Sequence, residues 1–111
     1  MAKNRNSTRY KSNQQERRIA SRFADGKQVI GSGSTPFLKG DVITNDLFIE
    51  CKTKAKESTQ ITVKKEWLDK AREQAYQMRK PNYILALSFG DGKDYYMMES
   101  SYFEDLYHNQ R

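Results

Sequence analysis

The segment Gly40-Asp41-Val42-Ile43-Thr44-Asn45-Asp46-Leu47-Phe48-Ile49-Glu50-Cys51-Lys52 restricts the fold of this chain more than any other. Apolar and β-branched residues flank Asn45-Asp46, a pair that tolerates the positive φ of a tight turn, so the segment predicts a β-hairpin. A two-residue loop fixes the pairing by symmetry: Thr44 faces Leu47, Ile43 faces Phe48, Val42 faces Ile49, and Asp41 lands opposite Glu50. Side-chain alternation then puts Asp41, Glu50 and Lys52 on one face of the sheet, with Ile49 and Cys51 on the other. Two carboxylates in register repel and cost stability. A divalent cation between them removes that cost. Together with the main-chain carbonyl of Cys51 they suit Mg2+, with waters completing its octahedron and Mn2+ expected to substitute.

The flanking sequence supplies one sheet and its helices. Residues 1–12 are polar and basic without periodicity and read as a flexible basic arm; residues 13–111 read as a single domain. A helix is expected from about Asn13 to Asp25, closed by Gly26 as a left-handed cap, with an apolar stripe of Ile19, Ala20 and Phe23. Glu16 lies on that stripe. It suits a metal ligand or a partner for a DNA-facing lysine, and equally the Asn13-x-x-Glu16 pattern of a capping box. Gln28-Val29-Ile30 reads as a first strand running into Gly31-Ser32-Gly33-Ser34-Thr35-Pro36, a loop whose hydroxyls are able to donate to a phosphate. A second helix is expected from a Thr62 cap to about Arg79, with Val63, Trp67, Leu68, Ala71, Ala75 and Met78 on one face and Pro81 ending it. Trp67 and Met78 read as core. The hydrophobic run Tyr83–Phe89 predicts a buried central strand, and Asp94–Glu99 a strand returning after Gly90-Asp91-Gly92-Lys93. A last helix begins near Ser101, with Ser101-x-x-Glu104 as its cap; His108 has no companion at ligand spacing and reads as a surface residue. The fold class expected is α/β: a single mixed β-sheet flanked by helices.

Charge distribution narrows the partners. Seven basic groups (Lys3, Arg5, Arg9, Lys11, Arg17, Arg18, Arg22) stand against Glu16 in the first 22 residues, which therefore carry the whole net charge of +6. Such polarity suits a polyanion, and the alternative is a solubilising tail. Arg5, Arg9, Lys11, Arg17, Arg18, Ser34 and Lys54 are the expected nucleic-acid contacts. With 36% hydrophobic residues the core is thin, which a homodimer interface would help to complete. One cysteine excludes an internal disulfide framework, and no apolar run reaches the length of a membrane span. A polar N-terminus unlike a signal peptide makes the expected location cytoplasmic, with no membrane partner and no small-molecule cofactor.

The string Asp41-x8-Glu50-Cys51-Lys52 resembles the motif of the PD-(D/E)XK nuclease superfamily. More closely, the chain resembles the archaeal-type Holliday junction resolvases, which also occur in phages. The resemblance runs from about Asn13 to Phe89. It takes in Glu16-Arg17-Arg18, Gly31-Ser32-Gly33-Ser34, Asp41, Ile49-Glu50-Cys51-Lys52 and the helix containing Gln74. Gly40 departs from the pattern, standing where the family usually has proline. The resemblance implies the restriction-endonuclease-like core and a homodimer making paired nicks in four-way DNA junctions. It implies Glu16, Asp41, Glu50 and Lys52 as catalytic or metal-binding, with Ser32 near the scissile phosphate. Two other readings fit the same residues: a nicking, repair or sequence-specific endonuclease on this fold, and a non-catalytic nucleic-acid-binding module. In the last, Asp41, Glu50 and Lys52 form only a surface ion network, which a one-residue slip of register would permit.

Overall fold

A computed structural model of the chain describes residues 8–29 and 41–110. The described elements run in the order α1 (Thr8–Ala20), β1 (Lys27–Gln28), β2 (Asp41–Ile43), β3 (Leu47–Thr53), α2 (Lys65–Gln77), β4 (Asn82–Ser88), β5 (Tyr95–Met97) and α3 (Ser100–His108). The strands form one five-stranded sheet in sequence order, antiparallel throughout except for β3 and β4. Those two run parallel because the chain crosses back through α2 between them. The fold is therefore α/β with a mixed sheet, as the sequence predicts.

Each sheet face has its own apolar cluster. On one, Val42, Ile49, Cys51, Ile84 and Ala86 pack against Ile19 of α1. On the other, Phe48, Leu85 and Leu87 meet Ala71 and Ala75 of α2, with Ile43, Val63, Trp67, Leu68 and Met78 at the margin. Residues Ile84 to Ser88 are buried on both faces, which explains the unbroken apolar run there.

Several element boundaries differ from the pattern-based expectation. Helix α1 starts at Thr8 and stops at Ala20, so part of the anticipated arm is helical. Its inward face is built from Gln15, Glu16 and Ile19, the first two polar, and an apolar period cannot reveal such a face. Asn13 consequently lies inside the helix, and the Asn13–Glu16 capping box does not form. Gly26 is not a left-handed cap; it sits so close to the end of α1 that a Cβ would come within 2.3 Å of the Ala20 carbonyl oxygen. Thr62 and Ser101 do not cap helices either: Lys64 and Glu99 occupy the N-cap positions, without a side-chain cap bond. At the far end of α2, Arg79 takes φ 59° while its N–H donates to Tyr76 and that of Lys80 to Ala75. This is a Schellman closure with arginine at the position that favours glycine. The first strand is shorter than expected and begins one residue earlier, at Lys27.

Helix α3 buries no residue. Tyr83 of β4 donates its hydroxyl to Glu99 at the helix entrance, and Tyr102 packs at the edge of the α1-side cluster.

Candidate active site

The hairpin register agrees with the sequence reading residue by residue: Ile43 pairs with Phe48, Val42 with Ile49 and Asp41 with Glu50. The turn achieves this without the positive φ expected of Asn45-Asp46, since Arg79 is the one described non-glycine residue in that region. Thr44 does the work instead. Its hydroxyl accepts from the N–H groups of Asp46 and Leu47, and its own N–H donates to the Leu47 carbonyl at 3.0 Å. Asp25 accepts from the Asn45 N–H at 2.9 Å and Lys80 donates to the Asn45 carbonyl at 3.3 Å, tying the turn to its surroundings. Thr44 and Leu47 are a hydrogen-bonded pair, so alternation makes Asp41 and Glu50 a non-bonded pair, the kind whose side chains stand closest.

Both acids are buried, Asp41 at 2% and Glu50 at 5% exposure. They lie on the α2 face with Phe48, opposite the face that carries Ile49 and Cys51. Burial, then the Glu50 charge and hydrogen bond, then the Glu16 charge push the Asp41 carboxyl up to about 9, against a weaker pull downward from Lys70. In the absence of a cation Asp41 thus holds a proton at neutral pH. Asp41 Oδ2 and Glu50 Oε1 are buried and accept no hydrogen bond from a donor elsewhere in the fold, so apart from the proton the two acids share they are unsatisfied. Buried oxygens normally have partners, and two orphaned carboxylate oxygens on adjacent strands fit a hard cation. The Lys52 ammonium lies 3.2 Å from Glu50 Oε2 and 4.8 Å from the centre of the Trp67 ring.

The other anticipated residues are distributed less simply. Glu16 is buried at 6% exposure in the middle of α1, and its charge is felt by both Asp41 and Cys51. Among the described residues no group of three His, Cys, Asp or Glu side chains is arranged to hold a metal, so Glu16 does not complete a triad with the pair. Burial pushes the Cys51 thiol up, leaving its main-chain carbonyl as the ligand that residue offers. Gln74, in α2, has its Oε1 buried and unpartnered. Arg5, Ser32 and Ser34 lie outside the described residues. Arg9, Arg17 and Lys54 are exposed. Arg18 is not available in the way the sequence suggests: its guanidinium grips Asp94 through two 2.7 Å bonds, and Arg22 adds a third at 3.0 Å. Lys11 donates to the Gly90 carbonyl at 3.1 Å.

Three participants escape sequence reasoning. Asp94 is the acid that collects Arg18 and Arg22; the turn before it was legible, its partners some 70 residues upstream were not. Gln15 is fully buried, and its amide nitrogen lies 3.2 Å from the carbonyls of Lys52 and Ala86 and 3.1 Å from Asp94. All three neighbours are acceptors, which fixes the amide orientation. Trp67 carries the third, its ring face against Lys52, where helical spacing marked only a core position.

No family model, curated protein or solved structure matches this chain.

Proposed function

We propose that the protein is a metal-dependent endodeoxyribonuclease of the PD-(D/E)XK type, acting on branched DNA as a Holliday junction resolvase. The observation that carries this reading is the buried, in-register Asp41–Glu50 pair with two orphaned oxygens and an ammonium at 3.2 Å. Asp41, Glu50 and the Cys51 carbonyl are the residues to hold Mg2+, which supplies charge neutralisation at the phosphate and a more acidic bound water. While Lys70 acts on Asp41 through its charge, Lys52 is the cation of the chain in contact with Glu50. Its ammonium donates to a phosphate oxygen or to the attacking water, stabilising charge that develops in the transition state. Exposed Arg9, Arg17 and Lys54 are the groups to engage the DNA backbone; Arg18 serves the fold.

The burial of both acids supports an enzyme over the surface-ion-network reading, because solvated carboxylates need neither a raised pKa nor an unpartnered oxygen. Exposed Tyr95, Tyr96, Met97, Phe103, Leu106 and Tyr107 on β5 and α3 support a homodimer, the arrangement that brings two sites to one junction. No helix among the described residues is long and apolar enough to cross a membrane, and a cytoplasmic location is part of this proposal.

The test is incubation of the purified protein with a labelled four-way junction and a matched linear duplex, each with Mg2+ and with EDTA. Paired nicks in the junction alone, abolished by EDTA, are expected. Equal cutting of the duplex would favour a general nicking or repair endonuclease. Binding without cutting under any metal would favour the non-catalytic module.

A further inference from the structure

The Lys52 ammonium is held twice, by Glu50 at 3.2 Å and by the face of Trp67 at 4.8 Å from the ring centre. These holds differ in kind. Glu50 is also one of the two acids whose buried oxygens suit a cation. A divalent ion on that carboxylate competes with the ammonium for the same charge and repels it. Lys52 has a flexible four-carbon stem and is 31% exposed, so weakening the Glu50 contact leaves it open to swing into solvent. The aromatic face does not suffer this competition: it attracts a cation through its quadrupole. Trp67 stands in the first turn of α2, anchored beside Leu68 on the apolar cluster of that face, so its ring is fixed relative to β3.

We propose that Trp67 is the positioning residue for Lys52, keeping the ammonium at the carboxylate pair once Glu50 is committed to the metal ion. The catalytic half of this inference rests on the nuclease reading; the Lys52–Trp67 contact itself does not. Trp67→Phe keeps an aromatic face of weaker quadrupole, and Trp67→Leu keeps an apolar side chain with none. Trp67→Leu is expected to lower the single-turnover cleavage rate about 3- to 30-fold, with Trp67→Phe between it and the wild type. DNA affinity measured in Ca2+ and the urea midpoint serve as controls for folding and binding. The spectroscopic arm needs neither DNA nor activity. The ring current of the chain's one tryptophan is expected to shift the Lys52 ε-methylene resonance upfield of the other lysines, and loss of the signal in Lys52→Ala would assign it. It is expected in wild type with and without Mg2+, reduced in Trp67→Phe and absent in Trp67→Leu.

Wild-type cleavage rates in a folded Trp67→Leu protein would overturn the proposal, as would a Lys52 resonance that returns to the bulk lysine position when Mg2+ is added. If wild type cuts no DNA, the nuclease reading fails and the positioning role fails with it. The upfield signal then still decides whether the contact exists.

Discussion

Asp41 and Glu50 face each other from adjacent strands inside the protein, and the fold tolerates them by keeping a proton on Asp41. The Asp41 carboxyl is raised from 3.8 to about 9 in the folded chain. A raised folded-state pKa gives stability that is full below the unfolded value and is lost as pH climbs through the folded one. With EDTA present, the contribution of Asp41 to the urea midpoint is therefore expected to fall steadily between about pH 4 and pH 9. Asp41→Asn mimics the protonated form, so it should flatten that slope, abolish cleavage and leave junction binding intact or tighter. Urea titrations at several pH values, paired with a junction-binding assay, check all three. An unchanged slope in Asp41→Asn would assign the pH dependence to other groups. At this scale the register of the acids was legible because strand alternation is strict. The proton was not, because it depends on how tightly α1 and α2 close over the sheet.

At the level of elements, Asp94 fastens α1 to the turn before β5. Its side chain is fully buried while Arg18 and Arg22 remain partly exposed. Burial alone would raise this carboxyl; hydrogen bonds from Arg18 and Gln15 and the charges of Arg18 and Arg22 outweigh it and hold it below its ordinary value. A depressed folded-state pKa gives stability present above the unfolded value and lost as pH falls through the folded one, so the acid limb of unfolding should be shallower in Asp94→Ala. The same substitution is expected to cost about 2–3 kcal/mol at neutral pH by urea denaturation, since two arginines lose this acceptor and the buried Gln15 amide loses one of its three. Arg79 gives the opposite sign. It holds φ 59° in the closure of α2, a conformation that glycine adopts without a steric penalty. Arg79→Gly should raise stability by roughly 0.5–1 kcal/mol in the same assay. Neither Asp94 nor Arg79 was legible. Pattern reading located the elements through apolar periods such as that from Leu68 to Ala75. Ion pairs between distant segments, and a left-handed arginine, leave no period. The caps expected at Thr62 and Ser101 failed for a related reason: a Ser/Thr-x-x-Glu string records a local preference, which the packing of the helix overrides.

For the molecule as a whole, the described basic residues among the first 22 divide into Lys11, Arg18 and Arg22, which are bonded within the fold, and Arg9 and Arg17, which are exposed. A truncation that spares α1 (Thr8–Ala20) and these bonds stops at Ser7. Deleting residues 1–7 removes Lys3 and Arg5. It is expected to reduce the slope of log binding constant against log salt by at most about 2, without changing the urea midpoint, as measured by fluorescence anisotropy across a salt series. An unchanged slope would mean that the DNA is bound entirely by the folded body. The hairpin sets a different kind of boundary. Between Asp41 and Glu50 the apolar places are open to exchange among residues of suitable shape, whereas the two acids, the Thr44 hydroxyl that builds the turn and the length of the stretch are not. One inserted or deleted residue would turn Asp41 toward the side where Ile19 and Cys51 pack, carrying an acid into grease and leaving Glu50 alone. Those apolar places admit other spellings, but the stretch does not admit another number of letters.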